Sequence, residues 1–461
     1  MILFTFYLKY VIIIFQIYLR GGFIINMNFL EKQFKLKENG TDIKTELIAG
    51  LTTFATMAYV LATVPSIMSS AGFGKSGVLT MVIILCAITS IAMGIVTNRP
   101  FVLGPGLGSV AVYSVSMIIG EGISPAVASG VIFWEGLLFV IISFIGLRDI
   151  IVKLIPLSIK ISISAGIGLF ISLLGFRNAG IIIANAKKNV LGFGDLTTPT
   201  AILAIIGLII LLILEVRKVK GGVILAIILT TLIGIPMGVT KIPTSFLAAP
   251  GNPTDMIFNI DVMGALNIKY LPFLFALFIP DFFSTFGTVI GVGAKAGLLD
   301  KNGNLPGIEK CFYVDSISTV LGSLFCMPCM TTYLESASGV EAGGKTGLTA
   351  VATSFIFILM FLITPLALMI PSAATAPTLI LMGVKMLGGM KNINYEDTTE
   401  CVPAFLSVAL TIFTNNVANG IAAAIIVYVI LKIASGKHKE LPLTMYPFAA
   451  VLCYYFYTLT M

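Results

Sequence analysis

Long apolar runs separated by short polar stretches dominate the chain. The runs are continuously apolar and lack the polar/apolar alternation of a porin strand, so they predict membrane helices rather than a barrel. The pattern predicts fourteen spans: 47–67, 78–96, 101–119, 126–146, 157–175, 199–215, 221–239, 271–294, 312–326, 327–344, 347–370, 376–390, 403–416 and 418–434. Several fall short of the ~20 residues a helix needs to cross the hydrocarbon. Two short ones are broken by Gly and Pro: the third, Phe101 to Gly120, and the tenth, Met327 to Gly344. Short broken segments at matching places in two halves point to a transporter binding site, and an odd number of spans per half makes the repeats inverted. In segment three the break is Gly104-Pro105-Gly106-Leu107-Gly108-Ser109, followed by an apolar helix. In segment ten it runs from Cys326 to Thr332, with a helix expected from about Tyr333. Two half-helices starting mid-membrane would turn free backbone N–H groups and positive dipole ends toward one cavity.

Segment ten is the more informative of the two. From Thr331 to Gly344 it carries hydroxyls, glycines and the carboxylate of Glu335 where lipid would favour leucines. Such an interruption is tolerated at membrane depth only where it is buried in protein or lines a cavity. Three acids lie well inside apolar segments: Glu135, Asp281 and Glu335. Unless paired or protonated, each costs at least about 2.5–3.5 kcal/mol at the bilayer centre, so each is a functional candidate. Glu335 is expected in the first turn of a half-helix, where the dipole favours an anion. A carboxylate there can accept two N–H bonds from a planar heterocycle. The competing reading is a helix cap or interhelical hydrogen bond. Asp281, after Pro280, is either a proton-carrying or site-shaping group, or a neutral carboxyl bonded across helices. Glu135, beside Trp134, is expected to be structural.

Composition fixes the class. Hydrophobic residues make up 57% of the chain, charged residues 11%, and the mean hydropathy is +1.04. A soluble domain carries roughly 25% charged residues, so this is an all-α polytopic membrane protein. The net charge of +7 marks cytoplasmic loops and not a nucleic-acid partner. Lys32, Lys35, Lys37 and Lys44 precede the first span, and basic clusters such as Arg217/Lys218/Lys220 follow even-numbered spans. The opposite loops are poorer, with Arg177, Lys187, Lys188 and Lys241. This asymmetry predicts a cytoplasmic N-terminus and a multi-pass protein of the cell membrane.

Other features narrow the chemistry. His438 is the only histidine, which excludes a His-based metal centre and a Ser-His triad; no metal, no cofactor and no enzymatic activity are expected. Cys326-Met327-Pro328-Cys329 forms a C-x-x-C without a second pair, so its cysteines are expected to be small apolar fillers. Gly339 to Thr346 matches a P-loop letter for letter, but joins two membrane segments where a P-loop needs a soluble α/β domain. Residues 1–26 are an apolar extension ahead of Met27: a signal-like segment, an extra helix or translated upstream sequence. Residues 445–460 are apolar too and are expected in the interface or as a short hairpin.

Several stretches together carry a family resemblance: Thr45 to Tyr59, Gly104-Pro105-Gly106-Leu107-Gly108, Ala165 to Phe170, Thr331 to Gly339, Gly347-Leu348-Thr349-Ala350-Val351 and Val417 to Ala422. In this order and spacing they resemble the nucleobase permeases of the nucleobase–cation symporter-2 type, in the adenine/guanine/hypoxanthine branch, from about Thr45 to Lys439. The resemblance implies fourteen transmembrane segments as a 7+7 inverted repeat, with short strands in segments three and ten. Residues 45–146 and 246–370 would form a core domain, and 147–245 and 371–436 a gate domain. They would be flanked by a cytoplasmic tail, 1–44, and a hydrophobic C-terminal tail, 437–461.

The implied activity is proton-coupled import of a nucleobase, with a homodimer suggested. Glu335 falls on the family's segment-ten glutamate, which hydrogen-bonds the base. Two positions depart from the pattern. Segment eight has Asp281-Phe282-Phe283-Ser284, with Ser284 where a second acid is usual, and Ser109-Val110 stands where an asparagine is usual. Substrate contacts are therefore expected from Glu335, Ser284, Thr331, Thr332, Tyr333, Ser109 and Val110. Tyr113 or Tyr333 would stack on the ring, and Glu335 and Asp281 would titrate with the coupled proton. The changed positions also leave open a different heterocycle or an anion as the solute.

Overall fold

The computed structural model describes residues 27–145, 156–185, 190–219, 221–245, 247, 250–300, 305–414, 416–441 and 445–459. The apolar extension 1–26 lies outside them. Helix α1 (Met27–Phe34) leads into α2 (Ile43–Met57) and α3 (Val60–Ser70), which together make the first crossing, and α4 (Lys75–Thr97) makes the second. The third is broken into strand β1 (Leu103–Pro105), helix α5 (Leu107–Ala111) and a π-helical stretch, Val112–Gly120. Then follow α6 (Pro125–Ile145), α7 (Leu157–Asn178), α8 (Pro199–Val216) and α9 (Gly222–Gly234), with strands β2 (Ile182–Asn185) and β3 (Val190–Phe193) as a hairpin between α7 and α8.

The second half repeats this order with α10 (Leu271–Lys295), α11 (Ile308–Ser323), strand β4 (Met330–Thr332) with helix α12 (Ser336–Glu341), and α13 (Gly347–Leu359), which α14 (Thr364–Leu368) extends. It closes with α15 (Ser372–Leu387), α16 (Thr398–Phe413) and α17 (Val417–Ala434). The fold is the all-α 7+7 inverted repeat, its fourteen segments at the places the apolar pattern predicts. Among the described residues, nine helices are long and apolar enough to cross a membrane alone, and three more are apolar but shorter.

Local chemistry sets the helix starts. Side-chain oxygens of Asp42, Thr198, Thr346, Asp397 and Asn416 accept backbone N–H bonds at the first turns of α2, α8, α13, α16 and α17. Each satisfies a donor that has no partner within the helix. The helices pack in two groups. One joins α2, α4 and α13, and α6, α10 and α11; the other joins α7, α15 and α16, α8 with α9, and α16 with α17. Phe139, Phe278, Phe282 and Phe312 form a knot of tilted and edge-on rings that locks α6, α10 and α11 together. Where α4 crosses α13, Gly94 faces Gly347: a Cβ on Gly94 would stand 2.5 Å from the Gly347 carbonyl oxygen. Small residues at such a crossing let two backbones approach closely.

Two expectations need correction. The half-helix of segment ten begins at Ser336 rather than Tyr333, because strand pairing continues past β4. The Tyr333 N–H donates to the Val102 carbonyl (2.9 Å), and the Val102 N–H to Ser336 Oγ (3.1 Å). The C-terminal stretch is not a hairpin but one helix, α18 (Met445–Leu459). It buries Met445, Ala449, Leu452 and Tyr455, a stripe at helical spacing, and packs on α17, where the Tyr455 hydroxyl donates to Asn419 Oδ1 (2.8 Å).

Candidate functional site

The two broken crossings meet at the centre of the molecule. β1 and β4 pair antiparallel, with Leu103 opposite Thr332, Gly104 opposite Thr331 and Pro105 opposite Met330. The Gly106 N–H donates to the Cys329 carbonyl (3.0 Å) at the end opposite the Tyr333–Val102 bond. Backbone polar groups at membrane depth are thus satisfied between the two crossings, the requirement for non-helical chain there. α5 and α12 leave this ladder as its two short continuations.

A cavity of about 820 Å³ lies against the ladder. Glu335, Ser284, Ser109, Thr331, Thr332 and Tyr333 all line it, as does Asp281. Val110 and Tyr113 do not; both are fully buried, and the Tyr113 hydroxyl lies 3.0 Å from Ser129 Oγ on α6. The cavity reaches the exposed ion pair between Lys385 and Glu215 (2.9 Å), at the ends of α15 and α8.

Glu335 sits immediately before α12 with helical backbone angles and makes no cap with its side chain. Its partner is distant in sequence: the Tyr59 hydroxyl, between α2 and α3, donates to Glu335 Oε1 at 2.7 Å. With only six residues, α12 supplies little dipole, so this phenol is the shown support of the carboxylate. Tyr333 is held by its own hydroxyl, which donates to the Pro105 carbonyl (2.6 Å).

Behind the ladder lies a buried acid that the sequence reading passed over. Asp315, on α11, is wholly inaccessible. Its Oδ1 accepts from Thr332 Oγ1 (2.7 Å) and its Oδ2 from Thr285 Oγ1 (2.9 Å). Thr285 Oγ1 in turn lies 3.1 Å from Thr331 Oγ1. One carboxyl therefore fixes both threonines of β4 to α10 and α11. A second missed acid, Glu46 on α2, closes the far end of segment ten. Its carboxylate accepts the N–H groups of Lys345 (2.9 Å), Thr346 (3.3 Å) and Thr349 (3.1 Å), together with the Thr349 hydroxyl (2.5 Å). The glycine-rich stretch that imitates a P-loop is thus a helix start capped from another helix.

Glu135 is fully buried on α6, and the Cys329 thiol donates to its Oε2 (3.4 Å). With Asp281 these two bring donor atoms within 4.8 Å of one another, the one such three-ligand group among the described residues. All six cysteines are free thiols, and Cys326 Sγ lies 3.3 Å from the Asn259 carbonyl.

This architecture, two antiparallel crossing strands over a polar cavity in a 7+7 helical repeat, defines a multi-pass membrane permease. The "Permease family" model (Xan_ur_permease) matches residues 44–426, and the chain belongs to this family. It is 38% identical over 425 residues to a putative permease, MJ0326, of Methanocaldococcus jannaschii, covering 92% of this chain and 97% of that one. It is 37% identical to the adenine permease AdeP of Escherichia coli (89% and 92% covered) and 35% identical to the guanine/hypoxanthine permease PbuO of Bacillus subtilis (88% and 96%). Among solved structures, the transmembrane domain of the cyanobacterial bicarbonate transporter BicA superposes with a TM-score of 0.60 at 16% identity, covering 83% of this chain and 97% of that domain. That likeness is one of fold.

Proposed function

We propose that this permease imports a nucleobase, in the first place a purine such as adenine, guanine or hypoxanthine, by proton symport through alternating access. The observation that carries the reading is the Glu335 carboxyl, set in the central cavity beside the crossing strands and engaged at one oxygen by Tyr59. The oxygen that Tyr59 does not engage is offered to ring N–H groups. Thr331, Thr332, Ser284 and Ser109 add hydroxyls around it, and Tyr333 an aromatic face. The names of AdeP and PbuO support a purine.

In this reading Glu335 and Asp281 titrate with the coupled proton. Residues 45–146 and 246–370 move as a core against a gate of 147–245 and 371–436. With the N-terminus cytoplasmic, the mouth at Lys385 and Glu215 faces the cytoplasm, so the cavity is inward-open. Val110, buried away from the cavity, is dropped from the substrate contacts. A second reading, the same transporter with a different heterocycle, draws on Ser284: a hydroxyl lines the cavity where a carboxylate would pair with another ring N–H.

The test is uptake of labelled adenine, guanine and hypoxanthine in a host lacking its own purine permeases, with and without protonophore, beside Glu335→Gln. Saturable uptake lost in both controls supports the proposal. Uptake that survives the protonophore removes proton coupling, and absence of purine uptake by correctly inserted protein turns the search to other heterocycles.

A further inference from the structure

Glu135 has no place in the site just described: it is on α6, fully buried, and absent from the cavity wall. Its surroundings are nevertheless those of an ion-binding group. Its Oε2 takes the Cys329 thiol, while its Oε1 is buried with no hydrogen-bond partner among the described residues. Asp281, across on α10, is 5% exposed, and its Oδ2 is likewise buried and unpartnered. The two carboxyls that carry these orphaned oxygens belong to one cluster, in which one oxygen of each and the Cys329 sulfur lie within 4.8 Å of one another. A buried polar atom without a partner is costly, and a ligand held by the two carboxyls would offset that cost.

We infer that the Glu135–Asp281 pair holds one proton, on one carboxyl or the other, and that Glu135 thereby joins Asp281 in titrating with the proton carried with the solute. The inference rests on the transport reading above and adds a residue to it. The groups facing the pair set its charge. Asp315 approaches from α11 and Cys329 from the chain before β4, both fully buried. Among the described residues, none of the ion pairs reaches Glu135 or Asp281. The nearby cation on α7, Lys160, lies over the Phe283 ring, 4.2 Å from its centre.

Two ionised carboxylates in this setting would repel each other without compensation, so the pair holds charge −1 when loaded and −2 only when the proton has left. A proton fits better than a metal ion, because the Cys329 sulfur donates to a carboxylate and so keeps its own hydrogen. The path is also laid out. Asp281 lines the cavity and Glu135 lies behind it, so the proton enters and leaves through Asp281. Asp281 also neighbours the Thr331 hydroxyl of β4, which links its protonation to the strand that faces the solute.

The experiment uses purified full-length protein in proteoliposomes, with wild type, Glu135→Gln and Glu135→Asp compared in two assays. Solute counterflow needs no net proton movement; accumulation driven by an imposed pH gradient does. Glu135→Gln is expected to keep counterflow within about threefold of wild type while accumulation falls to simple equilibration, and Glu135→Asp to recover part of the accumulation. Infrared difference spectra across a pH titration provide a readout independent of transport: a protonated-carboxyl band present in wild type is expected to be missing in Glu135→Gln.

Accumulation by Glu135→Gln at the wild-type level overturns the inference, as does an unchanged carboxyl band. Accumulation that follows a sodium gradient and is lost in Glu135→Gln overturns it in favour of a metal cation. Loss of both assays together with loss of monodispersity marks a folding defect, and the infrared band of Glu135→Asp then decides. Failure of wild type to exchange any nucleobase sinks the transport reading instead, while the band still reports on the pair.

Discussion

The third and tenth crossings share a shape and differ in chemistry. Each has a three-residue strand followed by a short helix, and the two strands pair across the inverted repeat. Segment three brings to the cavity wall two glycines, Leu107 and one hydroxyl, Ser109, which is turned back onto the Gly106 carbonyl (2.8 Å). Segment ten contributes Thr331, Thr332, Tyr333 and Glu335, each tied to another element. Gly104 shows the division of labour: a Cβ there would come within 3.0 Å of the Tyr333 ring. The repeat supplies a symmetric frame, and divergence within it leaves one crossing as spacer and the other as the bearer of functional groups.

The largest effect is expected where that asymmetry is greatest. Glu335→Gln removes the only carboxyl that either crossing places in the cavity, and should lower purine uptake by about a hundredfold, near the loss of a charged hydrogen bond of 3 kcal/mol. Initial-rate uptake with surface expression as a control checks it. Tyr59→Phe comes next. It leaves the carboxyl in place but removes the phenol at 2.7 Å, and should raise the apparent KM by about tenfold, since that bond stabilises about 1.5 kcal/mol or more. If Tyr59→Phe matches Glu335→Gln, the phenol is part of the site rather than its support.

Thr332→Val tests the ladder rather than the ligand. It deprives Asp315 Oδ1 of its hydroxyl donor in a wholly buried place, at a cost of about 1–3 kcal/mol. Thermal unfolding in detergent should show the lowered midpoint. Its register partner Leu103 makes no such bond, so Leu103→Val should lower the midpoint by less, about 1 kcal/mol for a methylene lost from a buried position. Equal losses at the two positions would show the crossings to be energetically alike despite their composition.

The two breaks were visible because Gly104-Pro105-Gly106-Leu107-Gly108 interrupts one apolar run, and Pro328 followed by hydroxyls, glycines and Glu335 interrupts the other. Glu335 was legible for the same reason: a carboxylate among hydroxyls in lipid has few explanations. Its partner was not, since Tyr59 lies 276 residues away and is one tyrosine among 14. Asp315 was missed because it falls four residues into a span drawn from Phe312, where an acid passes for a loop residue; its helix in fact begins at Ile308. Glu46 was hidden in the same way at the start of the first span, although its role as a cap reaches 299 residues along the chain. Burial and partnership over such separations are properties of packing, which periodicity does not encode. Val110 was named because Ser109-Val110 stands where the family pattern has an asparagine; in the structure Ser109 lines the cavity and Val110 is buried away from it, since neighbours on a helix point about 100° apart.

The smallest effect is expected at Ser109. Its hydroxyl lines the cavity, yet it already donates to the Gly106 carbonyl one turn back and lies 3.5 Å from the Cys329 carbonyl. A hydroxyl satisfied by its own backbone is a weak donor to a ligand, and such local bonds compete with outward ones. Ser109→Ala should therefore change purine KM by less than about threefold, within the half-kcal/mol scatter of substitutions that break no buried network. It should leave the thermal midpoint near wild type. Ser284→Ala supplies the matching measurement in the second half, at an exposed cavity position on α10. If Ser109→Ala proves the more damaging of the two, segment three carries recognition and is more than a spacer. If both are mild while Glu335→Gln is severe, recognition is concentrated in one crossing of a symmetric pair, and the frame tolerates change in the other.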